Sequence, residues 1–518
     1  MRKNKQNKKT SKIFINIDKK KTFFILLLIF LLLAILAYDP KPALGGDNIH
    51  YLLLARSLIS FKGYRDLWHP EEKPHTQYPF GFPLLIIPFL LIFGEYSLFL
   101  NFLPLLFFIG SFFLVKKIFQ ETKWQIPLIV LFFFSPWVIE NSHVLLSEPP
   151  FIFFSLLTYY LFILYEKRKD FKFFILFLLS AIFTFFIRTA GIALLLAIFL
   201  YFFEKRKYKL LIIALTLFLI TFFPWEIRNR KVTPKSSYLQ QFLQKDPYQP
   251  ELGNINFSGY LSRVFKNFYF YNFVIIPQLF YLNEFPPISW QVIIGSLTIF
   301  LILVALFTFM KDKKPLNKLI FYYFLFSSLV IFSWPEVWSS ERFLFPFFIF
   351  FLYLIFIGSE KIFMKYKLSF LIYPLFFLIF LFYLIRDFQR IKENLPNLIK
   401  NFSGDKYAGY SLDWQNYFKA LEWLKENTEE KAIIISRKPE FTYFISRRKS
   451  LLYKFSSNPQ EVLKEILENK ADYLLYDNFY WTLTSQRYLL PVLKIYSQYF
   501  QLVYKTSPPE MEIFKIRK

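Results

Sequence analysis

The sequence predicts a polytopic α-helical membrane protein with about eleven transmembrane helices, followed by a C-terminal extracytoplasmic α/β domain. Three observations predict this fold class. Of the 518 residues, 55% are hydrophobic, which is more than soluble domains usually carry. Apolar runs close to the length of a membrane span recur along the chain. Clusters of Lys and Arg lie in alternate connections between these runs, as the positive-inside rule expects of cytoplasmic loops.

The apolar runs follow one another over most of the chain. They cover residues 22–38, 98–115, 126–140, 149–165, 171–187, 190–203, 208–224, 287–309, 318–334, 343–358 and 368–385. A further run, 81–94, is short and contains Pro83 and Pro88, so it is predicted to be re-entrant or interfacial. The first run has no small-residue cleavage site after it, so it is predicted to remain as an uncleaved span.

The positions of the basic clusters orient the protein. With eleven spans and the N-terminus inside, clusters such as "EKRKYK" and "MKDKKPLNK" all fall in the cytoplasm. The predicted units are a cytoplasmic basic arm at 1–22, a transmembrane region at 23–385 and an extracytoplasmic domain at 386–518. The long loops at 39–97 and 225–286 are then outer loops. We expect an integral protein of the cytoplasmic (inner) membrane.

The C-terminal region, 386–518, is more polar and alternates between helical and strand patterns. Four segments have helical periodicity or helix-start signals: "WQNYFKALEWLKENTEE", "PEFTYFISRR", "NPQEVLKEILENKA" and "QRYLLPVLKIYSQ". "KAIIISR" and "DYLLYD" are predicted strands, and "FQLVYKTSPPEMEIFKI" is a predicted terminal hairpin. These patterns indicate a small α/β domain that is large enough for a core of its own.

Composition excludes several kinds of site. The chain has no cysteine, which excludes disulfides, thiolate metal sites and cysteine nucleophiles. Its formal net charge of +26 could indicate nucleic-acid binding. However, the basic residues are clustered between apolar runs, so we expect membrane lipids and no nucleic acid as partners.

Two carboxylates mark the outer ends of predicted spans. Asp47 opens the segment "GGDNIHYLLLARSL" and shares one helical face with His50 and Tyr51. Glu148 lies in "LLSEPP", where the next span begins. Each could simply cap a helix, but both are predicted on the same side at similar depth. Two carboxylates in one cavity could divide base and supporting roles, or bind a divalent metal with His143 as a third ligand.

Arginines are sparse on the predicted outer side. Arg188 in "FFIRTAG" and Arg342 in "WSSERFLFP" suit a phosphate, which arginine can bind through two hydrogen bonds. The alternatives are snorkelling to lipid headgroups or pairing with nearby glutamates, such as Glu341. Snorkelling or pairing is the interpretation we favour for Arg228 and Arg230.

Several motifs resemble one family in order and in sidedness. A basic N-terminus, one span and an acid in a long first outer loop precede "YPFGFPLL", and "LSEPPFIFFSLL" and "ERFLFPFFIF" follow. The chain resembles the GT-C superfamily of membrane glycosyltransferases, in the branch with protein O-mannosyltransferases and the aminoarabinose transferase of lipid A. Asp47-Asn48 stands where protein O-mannosyltransferases commonly show Asp-Glu. The Trp-Trp-Asp motif of oligosaccharyltransferases is absent, which argues against N-glycosylation of asparagine.

The resemblance implies an enzyme that transfers a hexosyl or pentosyl group from a polyprenyl-phosphate donor to a lipid, glycan or protein acceptor. Transfer would occur on the outer face, with inversion. By the same resemblance Asp47 and Glu148 are catalytic candidates. The substrate-binding candidates are His50, Tyr51, Tyr78, Arg188 and Arg342. A divalent metal ion is the candidate cofactor, with Asp47, Glu148 and His143 as its candidate ligands.

Two other functions compete with this one. A lipid or glycan transporter or flippase would share the spans and the buried charges, although transporters often show two similar halves. A non-catalytic scaffold would use the C-terminal domain as a binding module. Translocation of substrate without a new glycosidic bond would identify the transporter or flippase. Function that survives Asp47→Asn and Glu148→Gln but is lost on deletion of 386–518 would identify the scaffold.

Overall fold

The computed structural model describes residues 19–94, 98–233, 237–281, 285–480 and 483–517. Up to residue 402, the described residues are predominantly α-helical. The helices are α1 (Lys19–Leu36), α2 (Asp47–Ile59), α3 (Gly81–Phe93), α4 (Leu103–Ile118), α5 (Gln125–Phe133), α6 (Pro136–Asn141), α7 (Glu148–Arg168), α8 (Phe171–Ile187), α9 (Ile192–Glu204), α10 (Tyr208–Val232), α11 (Ser237–Leu243), α12 (Phe257–Tyr269), α13 (Ile276–Gln278), α14 (Ile288–Lys311), α15 (Pro315–Ser333), α16 (Glu341–Leu344), α17 (Phe348–Lys365) and α18 (Ile372–Phe402). Most of the basic arm predicted at 1–22 lies outside the described residues.

Each of the eleven predicted spans coincides with helical structure. Within the described ranges, seven helical stretches are long and apolar enough to cross a membrane. They are Phe99–Ile118, Glu148–Arg168, Tyr208–Val232, Ile288–Lys311, Pro315–Ser333, Glu341–Lys365 and Ser369–Phe402. The chain is therefore an integral membrane protein, and the count of eleven spans stays a prediction.

Two predicted segments differ from simple spans for local reasons. The run 126–140 is interrupted between α5 and α6, where Ser135 Oγ accepts a hydrogen bond from the backbone of Val138 and Pro136 opens α6. The short run at 81–94 is helical as α3, with Pro88 inside the helix. Its re-entrant placement stays a prediction.

The C-terminal domain is built on a mixed sheet. Its elements are α19 (Leu412–Asn427), β1 (Ile433–Ile435), α20 (Pro439–Ser446), β2 (Lys449–Leu451), α21 (Pro459–Glu468), β3 (Tyr473–Tyr476), α22 (Leu490–Ile495), β4 (Phe500–Lys505) and β5 (Glu512–Ile516). In the described residues the strand order is β2-β1-β3-β5-β4. β1 pairs parallel with β2 and β3, whereas β5 pairs antiparallel with β3 and β4. The predicted strands, helices and terminal hairpin are present.

Two features of this domain were not predicted. The predicted boundary at 386 falls inside α18, which continues to Phe402 because its apolar stripe persists after the span becomes polar. Strand β2 was missed because its three residues lie directly after "SRR" and form no apolar run.

The domain is attached to the segment between α2 and α3. The backbone N–H of Ser450, in β2, donates to the carbonyl of Trp68 at 2.8 Å. Beside it, Lys449 Nζ donates to the carbonyl of Leu67 at 2.6 Å and to Glu72 Oε1 at 2.8 Å. These bonds join the edge strand of the sheet to the loop that follows α2.

Candidate active site

Asp47 is the first residue of α2, and its carboxylate is held from two sides. Tyr78 OH donates to Oδ1 at 3.0 Å, and Arg342 Nη2 donates to Oδ2 at 3.1 Å. The N-cap residue of this helix is Gly46, so helix capping is not the role of the Asp47 side chain. Burial alone would raise the pKa of Asp47, but Arg342, His50 and the Tyr78 hydrogen bond outweigh it and lower that pKa. Asp47 is therefore ionised at neutral pH.

Glu148 opens α7 and is fully buried beneath two arginines. Its Oε1 accepts from Arg188 Nη1 at 2.7 Å, and from Arg342 Nε and Nη2 at 2.9 and 2.8 Å. Arg188 Nη1 also donates to Ser147 Oγ at 3.0 Å, and that hydroxyl lies 3.2 Å from Tyr51 OH. Glu148 thus fixes both guanidinium groups, and these groups separate it from the neighbouring cavity.

Arg342 joins the two carboxylates into one cluster. It bridges Asp47 and Glu148, while Arg188 contacts Glu148 alone. The four groups carry two negative and two positive charges, so the cluster is formally neutral. Buried charges are tolerated when they are paired in this way, whereas removal of one partner leaves an uncompensated charge. Arg342 does not pair with its neighbour Glu341, which is exposed.

An aromatic layer surrounds the Asp47 carboxylate. The ring of Tyr78 lies 5.1 Å from that of Tyr51 and 5.6 Å from that of His50, centroid to centroid. His50 also packs edge-on against Trp68 at 4.6 Å, and its Nδ1 lies 3.3 Å from the carbonyl of Gly46. The structure therefore brings His50, Tyr51 and Tyr78 together beside Asp47, and their role in substrate binding stays a prediction.

His75 and Asp66 form a hydrogen-bonded pair behind Tyr78 that was not predicted from the sequence. His75 Nε2 accepts from the backbone N–H of Tyr78 at 2.7 Å, and His75 Nδ1 lies 2.6 Å from Asp66 Oδ1. Burial lowers the pKa of His75, although Asp66 opposes that change. The pair anchors the Tyr78 backbone. Its spacing of nine residues in a loop gives no periodic signal.

The predicted metal triad of Asp47, Glu148 and His143 is wrong. His143 is buried in another neighbourhood, where its ring lies 6.3 Å from that of Tyr38, and burial lowers its pKa to about 4. Within the described ranges, no group of three His, Asp or Glu side chains is arranged to hold a metal ion. Asp47 Oδ2 and Glu148 Oε1 both contact arginines, and cations at these oxygens do not fit a site for a divalent cation.

Arg230 is paired with a glutamate, whereas Arg228 is held by backbone carbonyls. Arg230 Nε lies 2.7 Å from Glu226 Oε1, one helical turn away. Arg228 donates to the carbonyl of Tyr64 at 2.8 Å and stacks over the ring of Trp225 at 5.1 Å. Arg228 therefore supports the segment before α3, and the carboxylates of the cluster pair with Arg188 and Arg342 instead.

Two cavities meet at Asp47. One, of about 380 Å³, is lined by Asp47, Tyr51, Tyr78, Arg188 and Arg342, with Trp334 and Trp338 opposite. The other, of about 590 Å³, lies between the helical region and the C-terminal domain. Its lining includes Asp47, His50, Trp68, Arg437, Lys438 and Glu440. Asp47 thus lies where two separate ligands could approach each other, and both volumes are typical of ligand sites.

The C-terminal domain contacts the turn that precedes Asp47. Lys438 Nζ donates to the carbonyl of Gly45 at 3.1 Å. Gly46 has a φ of 96°, and a Cβ atom there would lie 2.8 Å from Glu440 Oε1. Burial lowers the pKa of Lys438. The segment "SRKPEF" has no recognisable motif, so its place at the site could not be predicted from the sequence.

Comparisons with known proteins bear on the fold. No family model matches the chain, and no curated protein matches it significantly. Among solved structures it is similar to ArnT from Cupriavidus metallidurans in the apo state, with a TM-score of 0.60 and 9% identity. The structure of ArnT bound to undecaprenyl phosphate gives a TM-score of 0.58 and 8% identity. Both comparisons cover 96% of this chain and 98% of the other. The chain therefore has the fold of these ArnT structures over nearly its whole length.

Proposed function

We propose that the protein transfers a monosaccharide from a polyprenyl-phosphate donor to a lipid, glycan or protein acceptor on the outer face of the membrane, with inversion. The observation that carries the proposal is the convergence of Arg188, Arg342 and Asp47 on one cavity. Arg188 and Arg342 supply cations that can bind a phosphate. Asp47, beside them, supplies a carboxylate that can act on the attacking group. The binding of undecaprenyl phosphate by the similar ArnT supports the choice of donor.

The donor phosphate would occupy the 380 Å³ cavity, against the two arginines. The bond between the anomeric carbon and the phosphate oxygen breaks, and its electron pair stays on that oxygen. Guanidinium groups stabilise this developing charge through charge-assisted hydrogen bonds. Glu148 is a positioning residue in this scheme, because it holds Arg188 and Arg342 in place without reaching the cavity itself.

The acceptor would approach from the 590 Å³ cavity, on the other side of Asp47. Its oxygen attacks the anomeric carbon from the face opposite the phosphate, and a new carbon–oxygen bond forms. Asp47 accepts the proton of an acceptor hydroxyl, or orients an acceptor oxygen that is already ionised. Because Arg342 lowers the pKa of Asp47, a phosphate that competes for Arg342 would make Asp47 more basic as the donor binds.

The cations of this scheme belong to the protein itself. The ligand set predicted for a metal does not form, so we assign charge stabilisation to Arg188 and Arg342 and derive no metal step. We expect EDTA to leave turnover unchanged. Loss of turnover in EDTA, with recovery on adding a divalent cation, would contradict this assignment.

The function is tested with purified protein in liposomes and a panel of radiolabelled polyprenyl-phosphate sugars. Candidate acceptors are supplied as membrane lipids, glycans and peptides. We expect label to leave the carrier and to appear in a new glycosidic bond, with the opposite anomeric configuration. Movement of labelled carrier between leaflets without a new glycosidic bond would instead identify a transporter. Retained configuration in the product would contradict single displacement.

A further inference from the structure

A third cavity lies on another face of α2, away from the candidate active site. It measures about 500 Å³, which is within the range of ligand pockets, and none of the four cluster residues lines it. Asn48, Ile49 and Leu52 form its wall on α2, whereas Asp47, His50 and Tyr51 face the other way. We call this space the back cavity. The proposed transfer uses the other two cavities and not this one.

The back cavity is apolar inside and charged at one edge. Its apolar lining comes from both the helical region and the C-terminal domain: Ile49, Leu52, Leu100, Leu145, Phe418, Phe441, Phe444 and Ile445. At the edge, Lys406 and Lys425 are both exposed, and neither has an ion-pair partner among the described residues. The carboxylate of Glu422 also lines the space, but it accepts a hydrogen bond from Tyr407 OH at 2.7 Å. The fourth charged group, Lys41, is paired with Asp39 at 2.8 Å.

One polar atom in the wall lacks a partner. Asn48 is 4% exposed, and its Oδ1 makes no hydrogen bond to any described residue. A buried acceptor without a donor is costly, because it has lost its contact with water and gained none in return. A ligand hydroxyl, or an ordered water molecule, would satisfy it.

We propose that the back cavity binds an anionic membrane lipid of the phosphatidylglycerol class. One acyl chain would lie among the apolar residues, the headgroup phosphate would lie near Lys406 and Lys425, and a glycerol hydroxyl would donate to Asn48 Oδ1. Anionic headgroups are attracted to lysines at a membrane surface, and the apolar lining suits a hydrocarbon chain. The inference rests on the cavity alone and does not depend on the proposed glycosyl transfer.

The test uses a photoactivatable lysophosphatidylglycerol with the full-length protein, beside the zwitterionic lysophosphatidylcholine of the same chain. We expect saturable labelling at one lipid per protein, in peptides that contain Phe418 or Phe441. The charge reversals Lys406→Glu and Lys425→Glu together should weaken binding about tenfold, since both residues are exposed and face the headgroup. Lysophosphatidylcholine should bind more weakly than its anionic counterpart.

Lys419→Glu is the matched control. It makes the same charge change as the single variant Lys425→Glu, which should itself weaken binding, and it lies on the same helix, α19. Because Lys419 is exposed and does not line the cavity, Lys419→Glu should leave binding unchanged. Asn48→Leu removes the unpartnered acceptor and should also weaken binding, with thermal unfolding confirming that each variant is folded. Equal labelling by the two lipids, or equal binding in the charge-reversed and control proteins, would overturn the proposal and leave the cavity filled by water or detergent.

Discussion

Arg342 is the residue on which the proposed site depends most. Its guanidinium group touches both carboxylates and also lines the cavity assigned to the donor phosphate. Arg342 was predictable from the sequence as a phosphate ligand, because arginine suits that chemistry. The bridge was not predictable, since each partner is supplied by a different helix and no local spacing links them.

Replacing Arg342 by lysine keeps the charge but removes the planar fork of donors. A lysine ammonium at this position cannot reproduce bonds to Asp47 and Glu148 together with a bidentate phosphate contact. We expect Arg342→Lys to lower kcat about 100-fold, as loss of an electrostatic donor commonly does. The measurement is kcat for the release of sugar from the carrier, in steady-state turnover with saturating donor. Arg230→Lys, in an exposed ion pair, is the control and should be near wild type.

The ionisation of Asp47 predicts a pH dependence of stability. Its folded pKa is lowered, so its carboxylate stabilises the folded protein above the unfolded pKa of about 4. That contribution is lost as the pH falls through the folded pKa. We therefore expect the difference in thermal stability between wild type and Asp47→Asn to be largest at neutral pH and to shrink on acidification. A difference that grew towards acid pH would contradict the assigned charge state.

At the scale of elements, regular patterns were predictable and interruptions were not. The apolar runs of α14 and α15 are long enough to predict helices by themselves. The start of α21 is marked by Asn458-Pro459, where the Asn458 side chain caps the helix. The break at Ser135 and the short strand β2 depend on single residues and on tertiary pairing. The same holds for the contact of Lys438 with the turn before Asp47, which only the packed domains create.

The turn at Gly46 provides a test of that interdomain contact. Gly46→Ala places a Cβ atom 2.8 Å from Glu440 Oε1 and 3.1 Å from Lys438 Nζ, at a φ of 96° that already disfavours alanine. We expect turnover to fall at least about tenfold as Asp47 shifts against Arg342, since small displacements of positioned groups are costly. Turnover and thermal unfolding are measured together.

Gly404→Ala is the matched control for this change. Gly404 has a similar φ of 108°, but a Cβ atom there would meet nothing within 4 Å. Gly404→Ala should therefore introduce backbone strain similar to that of Gly46→Ala and retain turnover. If the two variants lose activity equally, the contact between the C-terminal domain and the turn does not matter for the reaction.

At the scale of the whole molecule, the predicted orientation can be tested directly because the chain contains no cysteine. Two variants, Lys205→Cys and Lys464→Cys, each introduce one cysteine. Lys205 lies between α9 and α10, in a predicted cytoplasmic connection, and Lys464 lies on α21 of the C-terminal domain. In sealed right-side-out vesicles, a membrane-impermeant maleimide should label Lys464→Cys at once and Lys205→Cys only after permeabilisation. The reverse pattern would place the C-terminal domain in the cytoplasm.

The overall fold could be anticipated because hydropathy and charge alternation act over the full length of the chain. The different roles of Asp47 and Glu148 in the site could not be predicted in this way. Asp47 and Glu148 look alike in sequence, each an acid at the start of a helix. Only packing shows that Asp47 lines both cavities whereas Glu148 is buried behind arginines.

Asp47 acts on the acceptor oxygen in the proposed transfer, and the most direct test of this role compares Asp47→Asn with wild type in liposomes. Turnover of a radiolabelled polyprenyl-phosphate sugar is measured, with Glu71→Gln as the control for an exposed acid in the same loop. We predict that Asp47→Asn loses turnover at least about 100-fold while it still binds the donor, and that Glu71→Gln is unaffected. Wild-type turnover in a folded Asp47→Asn protein would contradict the account.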